Sequence, residues 1–327
     1  MGDHAEPALV PADPHQERTM SPIAASPTAA DSPAPSSATT ISAPDLRRVL
    51  TFLGIALVVS TAASVPFATG LLPGSAVGLV VPLAQLSPLL AGLIVRRRDE
   101  TVGRSLGLTV PSWSALAIAS LAAIVAFVMV PLARALVGIG AGAPLLADTV
   151  SVQALLLAVP PVLIMQALFA IGEEAGWRGW LHRELAPLGF WPMSLLIGVA
   201  WALWHAPIVL ALGLGPREAV TYLGTIVAVA PLLSALRDIS GTAWAAVLGH
   251  ALFTSVRVAL EQNVLGPVGP STAWLLDLCS WLLWIVAAWM VLRVGGALTS
   301  AGRAGRIENL PPQSVTEHGP AGTVPGA

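Results

Sequence analysis

Long apolar runs, almost free of charge, constrain this chain more than any other feature. Several are 18 or more residues long, the length at which an α-helix crosses the hydrocarbon core of a bilayer. Backbone N–H and C=O groups in lipid must be satisfied within their own segment, so such runs become helices rather than open sheets. The sequence specifies an all-α, polytopic membrane protein with about eight transmembrane helices. Composition agrees, with 55% apolar and 10% charged residues. A net charge of −2 offers no basic surface for nucleic acid. The single cysteine, Cys279, lies inside an apolar run, which excludes a disulfide framework and a thiolate metal site. All 16 basic residues are arginine, as a GC-rich and so bacterial genome would give.

Residues 1–44 are rich in Pro, Ala, Ser and Thr without periodicity and read as a disordered tail. A helical domain follows over 45–295, then a second polar tail over 296–327. The spans are expected at about 49–70, from the Pro73–Gly74 turn to 95, 113–137, from Val152 into 171–180, 191–213, 219–236, 242–260 and 272–293. Pro160 and Pro161 predict a kink in the fourth. An even number of spans puts both termini on one side. Arg47, Arg48, Arg96, Arg97, Arg98, Arg104, Arg178, Arg183, Arg237, Arg293, Arg303 and Arg306 fall on that side, and Arg134, Arg217 and Arg257 near the other. Short arginine-rich loops stay inside, so both termini are expected in the cytoplasm, in a bacterial plasma membrane.

Against this apolar background the run IGEEAGWRGW, 171–180, stands out. Charges at bilayer depth are costly unless paired or wet. Glu174 and Arg178 stand four residues apart, on one helix face, and can pair. Glu173 points about 100° away, which makes it the freer carboxylate and the better general base. A helix end capped by an ion pair is the plainer alternative. Two further spans carry histidines: His205, with Trp201 one turn before it, and His250, with Thr254 one turn after it. One acid and two imidazoles suit either of two chemistries. They could hold zinc with an open position, through Glu173, His205 and His250. They could equally form a metal-free site in which a carboxylate activates water. No His-Glu-x-x-His or Gly-x-Ser-x-Gly run is present. Helix counting leaves one mismatch: Glu173 and His250 lie about 10–15 Å in from the arginine-rich ends and His205 about 20 Å.

EEAGWRGW, WALWH and HALFT, on successive helices, resemble the three motifs of the type II CAAX prenyl protease family, also called CPBP or Abi. The first motif, Glu-Glu-x-x-x-Arg, is matched in full by Glu173, Glu174 and Arg178. In the second, Trp201 stands for Phe and His205 is kept; in the third, His250 is kept and Thr254 stands for Asn or Asp. The resemblance covers about 150–260 and implies an intramembrane endopeptidase acting on membrane proteins or peptides, with the bilayer as its other partner. It implies that Glu173 activates water, that His205 and His250 assist and stabilise the oxyanion, and that Glu174 and Arg178 shape the site. Thr254 would take the place of the oxyanion-holding amide. The expected cavity opens toward the cytoplasm. A catalytically inactive scaffold or bacteriocin-immunity-type protein that binds a peptide in the same cavity is the alternative, and a proton-relay transporter a third, against which stands the lack of an internal repeat.

Overall fold

The computed structural model describes residues 43–146 and 151–298. The bulk of both expected tails, and Asp148, lie outside the described residues. Among those described every regular element is a helix, apart from one isolated bridge between Leu145 and Leu265.

The elements are α1 (Leu46–Ala68), α2 (Val77–Ala84), α3 (Ser87–Val95), a single turn α4 (Val102–Ser105), α5 (Trp113–Gly140), α6 (Val152–Glu174), a short α7 (His182–Leu185), α8 (Phe190–Ala211), α9 (Pro216–Ser240), α10 (Ala243–Thr254), α11 (Val256–Val264) and α12 (Pro270–Met290). Seven helices are long and apolar enough to span a membrane, and 80–95 forms a shorter apolar piece. The protein is an integral membrane protein. Val58, Leu121, Leu136, Leu157, Leu210 and Leu282 all stand outward from long helices, where only lipid makes such surface stable.

Local chemistry sets the boundaries. Asp45, Ser112, Ser151 and Thr242 each accept a backbone N–H at the start of α1, α5, α6 and α10. Proline opens α9 and α12, where its missing donor costs nothing. Gly241, at φ 71°, ends α9 in the left-handed conformation. Prolines 160 and 161 lie inside α6 without ending it.

The second expected span is broken. Pro88 has no N–H to offer the carbonyl of Ala84, so the helix opens at Gln85–Leu86 and restarts at Ser87. The two halves still return across the bundle, because Arg48 at the start of α1 donates to the carbonyl of Val95 at 2.6 and 2.9 Å. The expected seventh span runs over Ala243–Val264, with one irregular residue, Ser255, between α10 and α11.

α9 runs through the centre. Val229, Leu232, Leu233, Ala235 and Leu236 are fully buried, packed by α5, α8, α10 and α12. One end of the bundle gathers Arg48, Glu184, Glu100 and Arg183 through ion pairs of 3.2 and 3.0 Å. The other gathers the 140–146 segment, the start of α12, and an Arg217–Asp277 pair.

Candidate active site

The helix carrying the two glutamates does not stop after them. It widens into a π-helical stretch, Ala175–Leu181, and continues through α7. Such widening inside a helix re-aims side chains and recurs at functional sites. The continuation also removes the depth mismatch. Glu173 lies 15 residues before Leu188, where this helix ends, or about 22 Å of rise. His205 lies 15 residues after Phe190, a similar depth on the neighbouring helix. α10 starts deep, because Ala243 donates to Gly107, which itself abuts Gly179 of the π-helical stretch. His250 is thereby carried to the glutamates.

The wide stretch packs closely because its facing residues are glycines. A Cβ on Gly172 would come 2.6 Å from the Gln85 carbonyl, and one on Gly176 would strike Pro88. Small residues of this kind let membrane helices approach at backbone distance. The approach brings the break in the second span directly against Glu173.

Glu173, Glu174 and Arg178 are fully buried and His250 nearly so. Each glutamate has its own partners. Glu173 accepts the Gln85 Nε2–H at 2.8 Å on Oε1 and the Trp201 Nε1–H at 2.6 Å on Oε2. Glu174 Oε1 accepts from Arg178 Nη1 at 3.0 Å and from His250 Nδ1 at 2.8 Å. The Arg178 guanidinium stacks on Trp201, 4.5 Å from the ring centroid. Its Nε and Nη2, and Glu174 Oε2, have no hydrogen-bond partner among the described residues. Trp201 is the hub: its ring also meets those of His205 and His250, at 5.7 and 5.2 Å.

The histidine tautomers follow from their partners. His205 Nδ1 lies 3.0 Å from the Trp201 carbonyl, which only accepts, so Nδ1 carries the proton. A neutral His205 therefore presents a lone pair on Nε2. His250 donates Nδ1–H to Glu174, and its Nε2 has no protein partner among the described residues.

Glu173, His205, His250 and Thr254 line one cavity of about 420 Å³, with Gln85, Gln166 and Tyr222. Thr254 does not aim its hydroxyl into it. Oγ1 donates to the carbonyl of His250 at 3.0 Å, within its own helix, as a threonine on a helix does when no better acceptor is in reach. The expected opening also differs. The lining runs to Val77, Leu212 and Leu214, at the end opposite Arg48 and Arg183, while Trp177, Trp180 and Leu181 are buried toward the arginine-rich end. Bulky aromatics in the π-helical stretch fill that side. As a metal site the set does not fit: among the described residues no three His, Cys, Asp or Glu side chains converge to hold an ion.

With this geometry in hand, comparison with known proteins gives a family. The profile of the type II CAAX prenyl endopeptidase, Rce1-like, family matches residues 153–256. Residues 153–256 are similar to the domain of that family. The Rce1-like segment holds both glutamates, Arg178, Trp201, His205, Tyr222, His250 and Thr254. Gln85 lies outside it. Among curated proteins, CAAX prenyl protease 2 of Methanococcus maripaludis is 40% identical over 50 residues. That alignment spans 15% of this chain and 18% of the relative.

Sequence reasoning missed Gln85, Tyr222 and the role of the Trp201 N–H. Gln85 had a signal, an amide inside an apolar run between Pro82 and Pro88. Tyr222 had a weaker one, as the single tyrosine of the chain.

Proposed function

We propose that this protein is an intramembrane endopeptidase that hydrolyses peptide bonds of membrane-associated proteins or peptides. One observation carries the reading: a buried carboxylate, Glu173, shares an apolar-walled cavity with two histidines whose Nε2 atoms are free of protein partners among the described residues. A water held there gives its proton to Glu173 and attacks the scissile carbonyl. The C–N bond then breaks, and the proton on Glu173 passes to the departing amine. The neutral Nε2 atom of His205 accepts the water's other O–H and orients its lone pair. Glu174 and Arg178 serve a different end. Arg178 neutralises Glu174, and Glu174 fixes the His250 ring. Arginine placement supports cytoplasmic termini, and the all-arginine basic set supports a bacterial plasma membrane.

A peptide-binding scaffold without hydrolysis is the second reading, favoured by one observation, the Thr254 hydroxyl spent on its own helix. Purified full-length protein in liposomes separates them. Internally quenched, lipid-anchored peptides of mixed sequence are expected to be cut by the wild type and not by Glu173→Gln. Binding without cleavage by both would establish the scaffold. Loss of cleavage with a strong chelator, restored by zinc, would overturn the metal-free mechanism.

A further inference from the structure

Attack on a peptide carbonyl places a negative charge on its oxygen, and that charge needs an N–H or O–H aimed at it. The donors around the cavity are nearly all committed. Trp201 spends its one N–H on Glu173, and Gln85 spends one of its two amide N–H bonds there. Thr254 spends its hydroxyl on the His250 carbonyl. Both histidines spend Nδ1–H, on Trp201 and on Glu174, and the neutral His205 has no other proton to give. Trp204 donates to Ser87, and Ser60 and Ser64 donate to the carbonyls of Trp204 and Ser60.

Two lining side chains, Gln166 and Tyr222, spend no donor at all on a protein partner among the described residues. Gln166 lies seven residues before Glu173 on the same helix, about 10.5 Å away along its axis. Tyr222 stands on α9, its ring centroid 5.6 Å from that of His205.

We propose that the Tyr222 hydroxyl is an oxyanion donor of this site, filling the function that the amide at position 254 would serve in the family pattern. The assignment rests on the protease reading above. As the water oxygen bonds to the carbonyl carbon, the carbonyl π electrons move to oxygen and Tyr222 O–H hydrogen-bonds to it. When the C–N bond breaks, the carbonyl re-forms and Tyr222 keeps its proton throughout. Tyr222 is then a catalytic residue, and Thr254 is not the donor.

The test uses full-length protein in liposomes with the quenched, lipid-anchored peptides. Tyr222→Phe removes one oxygen and keeps the ring against His205. It is expected to lower kcat roughly 100-fold, with KM and the thermal midpoint close to wild type. Thr254→Val is expected to cost at least about tenfold less than that. Tyr222→Phe combined with Thr254→Asn, which places an amide donor one turn from His250, is expected to recover about tenfold or more in kcat. That recovery supports the donor role even where Tyr222→Phe lowers the midpoint, because a packing defect would not be mended by an amide. Wild-type turnover in Tyr222→Phe, a loss confined to KM, or an equal loss in Thr254→Val would overturn the assignment and leave the protease reading standing. Undiminished cleavage by Glu173→Gln would instead remove both.

Discussion

At the scale of single residues, two adjacent glutamates do different work because their partners differ. Glu174 is neutralised by Arg178 and tied to His250; Glu173 is held only by neutral N–H donors. A carboxylate that accepts neutral hydrogen bonds keeps its full charge and a defined direction, which is what a general base requires. Trp201 supplies half of that hold through an N–H that a phenylalanine lacks. Trp201→Phe keeps the ring under Arg178 and removes one hydrogen bond to a charged group, worth about 1.5 kcal/mol or roughly tenfold in rate. The expected result is a kcat lowered about tenfold with KM little changed and the fold retained. An unchanged kcat would mean that Gln85 alone positions Glu173. Sequence pattern made the glutamates, Arg178 and the histidines legible, because charges and imidazoles are conspicuous in an apolar chain. It could not show that Thr254 turns its hydroxyl back onto its own helix, since that choice depends on which acceptors lie nearby in three dimensions.

At the scale of elements, the site depends on two irregularities that hydropathy does not register. The first is the break at Gln85–Leu86; the second is the π-helical stretch after Glu174. An apolar run reads as one span whether or not its backbone is continuous, so the second span expected from sequence is right in extent and wrong in continuity. The glycines that join the two irregularities give a direct test. Gly172→Ala drives a methyl into the Gln85 carbonyl. A destabilisation of about 1–3 kcal/mol is expected, as for other overpacked sites, together with reduced turnover as Gln85 is pushed off Glu173. Gly54→Ala, whose added methyl meets nothing within 4 Å, serves as the control and is expected to leave the thermal midpoint equal or higher. Equal behaviour of the two variants would show that the close approach is not required.

At the scale of the whole molecule, the arginine-rich end is fastened by ion pairs between distant segments. Arg183 donates to both oxygens of Glu100 at 3.0 Å, and Arg48 reaches Glu184 at 3.2 Å. The Arg183 hydrogen bonds, opposed by partial burial and helped by the charges of Arg183 and Arg97, hold the Glu100 carboxyl below its ordinary range. A depressed carboxylate stabilises the folded state at all pH values above the unfolded one, and that contribution is lost as pH falls through the folded value. The gap in thermal midpoint between wild type and Glu100→Gln is therefore expected to be constant near neutrality and to close in acid. A gap that widens in acid would contradict the pairing. Because the pair is exposed, the gap is expected to be small and to shrink with salt.

The cavity that extends away from this fastened end is where the functional reading meets the fold, and one measurement reaches it most directly. Membrane fractions of cells producing the wild type and Glu173→Gln at equal levels can be compared for newly exposed protein N-termini. New termini in membrane proteins that arise with the wild type and vanish with Glu173→Gln are expected. The same set of termini in both samples would contradict the central claim that the Glu173 carboxylate hydrolyses peptide bonds.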